Sequence, residues 1–176
     1  VRMMTRARVK THMKIQVLGC SGGIGESLKT TSFLVDNAIL IDAGTGIGEL
    51  PLDVLRGIRT IFITHSHLDH ICGVPLLVDT IFDSLTSPLN VYGLPETITA
   101  LENHIFNNVV WPDFTRIPST AKPVLKLNKI KINQKVKVGG IEFEPIPVNH
   151  IIPACGYRLC GEQGVVAFSG DTTTTD

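Results

Sequence analysis

Apolar positions along the chain fall into short β-branched runs and a few longer stretches with helical spacing, separated by turns rich in Gly, Pro, Asn and Asp. Residues 13–18 open the pattern as a strand. Residues 31–35 and 38–43 are apolar runs on either side of Asp36-Asn37, a pair suited to a two-residue turn, and predict a hairpin. Residues 48–56 predict a short helix, 58–63 a buried strand, 74–82 a helix and 89–92 another strand. Residues 95–110 predict a helix with Pro95 in its first turn, where a missing N–H costs nothing. Beyond it the pattern turns to strands, at 124–127, 130–138, 141–147, 156–159 and 165–168. Strands interleaved with helices predict a layered α/β architecture.

Composition narrows this reading. The length of 176 residues suits one domain, and an apolar fraction of 43% is enough for a core. No apolar run reaches the roughly twenty residues of a membrane span, so no membrane partner is expected. The formal net charge is zero, which gives no reason to expect a track for a nucleic-acid polymer. Cys20, Cys72, Cys155 and Cys160 are scattered without a paired framework and read as reduced thiols of a cytoplasmic protein. Residues 1–12 are basic, lack the apolar centre of a secretory signal and are expected to be a disordered extension, with the domain proper at 13–176. The loop 19–25 is rich in glycine but lacks dinucleotide-binding spacing and has no helix-forming sequence after it. A tight turn whose backbone approaches the functional cleft is the better role for it.

The chemistry concentrates in Thr64-His65-Ser66-His67-Leu68-Asp69-His70, directly after the strand at 58–63. Half of the six histidines fall in this one stretch, which makes solvated surface imidazoles a poor explanation. In extended backbone His65 and His67 point the same way and can share one ion, while Asp69 and His70 lie past the bend and face a neighbouring position. Two further strand ends carry candidate ligands, His150 after 145–149 and Asp171 after 167–170. Taken alone, His150 reads as a loop histidine and Ser169-Gly170-Asp171-Thr172 as an Asx-type turn.

The pattern His-x-His-x-Asp-His after an apolar strand resembles the signature of the metallo-β-lactamase superfamily, and His150 and Asp171 match its later motifs in type and order. The resemblance implies an αββα four-layer sandwich binding two divalent metals, zinc first, with manganese or iron as alternatives. It implies that His65, His67 and His150 hold the first metal, that Asp69 and His70 hold the second, and that Asp171 bridges them. In that superfamily further strands, helices and a last histidine follow the bridging aspartate. The sequence ends at Asp176 with no histidine after His150, so a sandwich incomplete at its C-terminal part is expected.

Residues outside the shared motif resemble the class II cyclic-nucleotide phosphodiesterases: His67-Leu68-Asp69-His70-Ile71-Cys72-Gly73-Val74-Pro75, with leucine inside the motif, and the segment 104–118, which contains Phe106-Asn107 and Trp111-Pro112-Asp113-Phe114. That likeness implies hydrolysis of cyclic AMP to 5′-AMP, with cyclic GMP left open, by a hydroxide shared between the metals. Asp69 is the candidate proton shuttle, although a purely ligating role fits its position equally. Phe33, Trp111 and Phe114 are candidates for an adenine slot, whereas Phe106, Val110 and Trp111 at helical spacing also read as ordinary core. A ribonuclease Z-like enzyme, a thioester or lactone hydrolase, and a non-catalytic metal-binding module remain as competing functions, and a homodimer is left open.

Overall fold

The computed structural model describes residues 12–174. The expected extension therefore lies, apart from His12, outside the described residues. Two sheets face each other. The first is six-stranded, built from β1 (Ile15–Gly19), β2 (Ser32–Val35), β3 (Ile39–Ile41), β4 (Thr60–Phe62), β5 (Leu89–Gly93) and, after the two-residue strands β6 (Pro118–Ser119) and β7 (Lys122–Pro123), β8 (Leu125–Lys129). Its spatial order is β1-β2-β3-β4-β5-β8, antiparallel from β1 to β3 and parallel from β3 to β8. The second sheet contains β9 (Val136–Val138), β10 (Ile141–Pro147), β11 (Cys155–Gly161) and β12 (Gly164–Phe168), all antiparallel, in the order β12-β11-β10-β9.

The central strands are covered on both faces, which is why their sequences run apolar without alternation. β3 and β4 are buried at every position, yet their side chains divide between two cores by the two-residue period of a strand. Leu40 and Ile61 face the helices, together with Leu77, Val78, Ile98 and Leu101. Ile39, Ile41 and Phe62 face the second sheet, where Phe62 stacks on Phe143 with ring centroids 4.1 Å apart. Helix, sheet and sheet thus form three successive layers. The hairpin turn is as expected: Asp36 and Asn37 take φ values of 47° and 56°, as a turn of type I′ requires.

Helices are shorter than the periodicity predicts. Residues 48–56 resolve into a 3₁₀ turn (Thr45–Glu49) and α1 (Leu52–Leu55), separated at Pro51. After α2 (Leu68–Ile71) and α3 (Gly73–Ile81), the helix predicted over 95–110 begins as α4 (Pro95–Ala100) and ends in a π turn at Leu101–Ile105. Two asparagines stop it. Asn107 Oδ1 accepts the N–H groups of Val109 and Val110, and Asn108, at φ 61°, accepts that of Asp113, so side chains replace the helical carbonyl acceptors. The predicted strand at 130–138 is likewise reduced to β9, because Gln134 N–H donates to Lys131 O and Asn133 takes φ 64°, making a turn.

Candidate metal centre

The strand-end position of the histidines follows directly from the parallel sheet, whose strands β3 and β4 both run out at one edge. β4 ends at Phe62, Ile63 and Thr64 continue it, and His67 is the extended residue immediately before α2. The second sheet fastens this turn from beneath. Cys155 N–H donates to Thr64 O at 3.0 Å, and the buried Tyr157 hydroxyl donates to Ile63 O at 2.9 Å. Gly170 brings the last candidate ligand in: its φ is 59°, and a Cβ there would lie 3.0 Å from the Thr64 side chain, so both the turn and the approach need glycine.

Five of the predicted ligands meet in two overlapping groups. His65, His67 and His150 form one, with His65 Nε2 3.0 Å and His150 Nε2 3.2 Å from His67 Nδ1. His65, His70 and Asp171 form the other, and all ligand atoms within each group lie inside 4.8 Å. The sixth, Asp69, joins through His70, its Oδ2 3.5 Å from His70 Nε2, while Asp171 Oδ1 is 3.4 Å from the same nitrogen. His65 belongs to both groups, and Asp171, the expected bridging residue, to the second.

The donor set fits divalent metals. Two ligand nitrogens about 2.1 Å from a tetrahedral ion lie about 3.4 Å apart, close to the separations in the imidazole trio. His70 Nε2 is buried without a hydrogen-bond partner and lies between two carboxylates, an environment that suits a metal-ligating nitrogen. Burial, followed by the nearby imidazoles of His70 and His67, pushes the His65 pKa down to about 3, so its lone pair is available for coordination.

Asp42, at the end of β3, was absent from the predicted set. It is fully buried at φ 55° and accepts three hydrogen bonds, from Thr64 N–H and Thr64 Oγ1 at 2.8 Å each and from His70 Nδ1 at 2.7 Å. It thereby fixes the His70 tautomer and turns Nε2 toward Asp69 and Asp171. Burial acts to lower the His70 pKa, but the hydrogen bond and charge of Asp42, together with the charges of Asp69 and Asp171, outweigh it and the net direction is upward. The available signal was a carboxylate closing an otherwise apolar strand.

The three aromatic candidates lie in packing positions. Phe114 is buried in the core beneath the helices with its ring against Phe82. Trp111 packs half-buried on that same core. Phe33 packs on the core between the sheets, against Phe168. The ring partners of Phe33 and Phe114 are other aromatics, Phe168 and Phe82. In the glycine-rich loop, Gly22 and Gly23 face open space.

This architecture has close counterparts among solved structures. The crystal structure of unliganded yeast PDE1 superposes with a TM-score of 0.75 at 21% identity, over 92% of this chain and 66% of that one. The metallo-β-lactamase fold protein YhfI from Bacillus subtilis gives 0.72 at 19% identity, over 93% and 64%. The fold is therefore that of the metallo-β-lactamases. In sequence, 3′,5′-cyclic-nucleotide phosphodiesterase 1 of Saccharomyces cerevisiae is 35% identical over 99 residues, 56% of this chain and 27% of the yeast protein. A ribonuclease Z of Clostridium novyi is 32% identical over 154 residues, 81% of this chain and 49% of that enzyme. The chain thus spans only part of the length of the relatives it matches. Residues 52–147, more than half of the chain and including the whole histidine-rich turn, match the family model of the class-II cAMP phosphodiesterases, and to that family this protein belongs.

Proposed function

We propose that this chain carries the metal centre of a phosphodiesterase that hydrolyses 3′,5′-cyclic nucleotides to 5′-monophosphates. The observation that supports it most is the position of His65, buried at the junction of an imidazole trio and an imidazole–carboxylate group. Such a junction suits two neighbouring divalent ions, with zinc the natural choice for the nitrogen-rich half and manganese or iron as alternatives. Bound there, the ions would supply Lewis acidity, acidifying water and neutralising charge on the phosphoryl group.

The protein's own contributions follow from the geometry. His65, His67 and His150 would hold the first ion and His70, Asp69 and Asp171 the second, with Asp42 holding His70 in its ligating tautomer. Hydrolysis adds water to phosphorus, breaks the bond from phosphorus to O3′ and returns a proton to that oxygen. Asp69, partly exposed beside His70, would also carry the proton. The class-II match favours the cyclic substrate. The ribonuclease Z relatives support a second reading, cleavage of an RNA phosphodiester by the same groups.

Chromatography of cyclic AMP incubated with metal-loaded protein, with a chelator-treated control, tests the first reading. Chelator-sensitive formation of 5′-AMP is expected. Cleavage of a transfer-RNA precursor without turnover of cyclic AMP would replace the first reading by the second.

A further inference from the structure

A shallow, open groove of about 590 Å³ lies against His150, one of the candidate metal ligands. Its apolar walls include Leu94 and Pro95 at the start of α4, Ile132, and Ile151 and Ile152 just after the candidate ligand His150, which also lines it. Glu96 and Lys131, both exposed, add one acceptor and one donor. Other cavities, beside Met13, between Phe82 and Val124, and beneath Gly44, include none of the candidate ligands.

The wall that contains Ile151 is anchored at its base. Asn149 N–H donates to Thr172 Oγ1 at 3.3 Å, and Asn149 O accepts Thr173 N–H at 2.8 Å, so the segments that carry His150 and Asp171 are tied together. Ile151 follows directly and is 83% exposed, a large apolar side chain held at the mouth of the site with no core to cover it.

We infer that this groove receives the base of the nucleotide, an inference that rests on the phosphodiesterase reading. His150 belongs both to the groove wall and to the imidazole trio, so a cyclic phosphate held at the trio has its sugar substituent within reach of these walls. Aliphatic side chains and proline rings offer flat apolar faces to a purine. Glu96 accepts from an exocyclic or ring N–H, and Lys131 donates to a ring nitrogen. Phe114 is buried in the core beneath the helices, and Phe33 and Trp111 pack partly buried against the two cores.

The test compares Ile151→Ser with the unaltered, metal-loaded protein in three measurements: the Kd of 5′-AMP by calorimetry, the KM of cyclic AMP, and the KM of methyl ribofuranoside 3′,5′-cyclic phosphate, which has no base. Because Ile151 contributes nothing to the core, an unchanged melting temperature is expected. The Kd of 5′-AMP and the KM of cyclic AMP should rise at least about fivefold, as loss of apolar contact with the base requires, while the base-free diester is unaffected. Glu96→Gln should weaken 5′-AMP in the same selective way. Unchanged constants for 5′-AMP and cyclic AMP, equal losses for both cyclic diesters, or no binding of 5′-AMP to the unaltered protein would overturn the inference. Binding of 5′-AMP that depends on Ile151, in a protein that does not turn over cyclic AMP, would support the groove and sink the catalytic reading alone.

Discussion

Asp42 Oδ2 and His70 Nδ1 lie 2.7 Å apart with both side chains only 1% exposed, so the orientation of one metal-facing imidazole is set by a carboxylate 28 residues upstream. This pairing links the end of β3 to the turn after β4 through the parallel sheet that joins them. Removing the carboxylate leaves His70 Nδ1 and both Thr64 donors without their acceptor. Asp42→Ala is expected to cost about 3–5 kcal/mol of unfolding free energy in chelator-treated protein, the range for breaking a buried pair. Asp42→Asn, which tolerates the positive φ and keeps one acceptor, should cost less. Urea unfolding measures both, and an Asp42→Ala protein of unchanged stability would contradict this account.

His67 is the middle imidazole of the trio and is only partly buried. His67→Ala should therefore leave a folded protein that retains fewer equivalents of metal and shows no turnover. Elemental analysis after dialysis, with circular dichroism as the folding control, checks this. Full activity in the variant would refute the ligand assignment.

Asp171 approaches His70 and His65 but is grouped apart from His67 and His150. Asp171→Asn should weaken the second ion by at least about tenfold, the scale on which even outer-shell partners act, and weaken the first ion less. Competitive titration with a chromophoric chelator resolves the two affinities. Equal losses would mean that Asp171 bridges both ions.

Phe114 and Trp111 should register as packing residues. Phe114→Ala is expected to destabilise by about 3–5 kcal/mol, as for a buried aromatic. Trp111→Ala should lower the melting temperature and leave the KM of cyclic AMP unchanged. A raised KM at constant melting temperature would instead show that the indole touches substrate.

The cysteines should differ in reactivity. Cys20 is exposed, whereas burial pushes the Cys155 thiol up to about 12. In the folded protein at neutral pH a maleimide should label Cys20 within minutes and leave Cys155 unmodified until denaturant is added, because only the thiolate reacts and only an accessible one is reached. Peptide mapping by mass spectrometry reads the outcome.

The sequence by itself determined the strands of the first sheet, the turn at Asp36-Asn37, the α/β layering and the three imidazoles after β4. Those features are written in local periodicity and in ligand spacing within a single turn. His150 and Asp171 were legible only through resemblance, since one histidine or one aspartate in a loop carries no geometry of its own. The tertiary structure decided the rest. It placed His65 in both ligand groups, and it selected Asp42 as the partner of His70, a choice that depends on strands parallel in space and far apart in sequence. It cut the helix over 95–110 at Ile105, where asparagine side chains supplied acceptors that periodicity does not register. It also buried Phe114 and packed Phe33 and Trp111, partly exposed, against the two cores, because how far an aromatic side chain turns inward is settled by the layer it lies against and not by its neighbours along the chain.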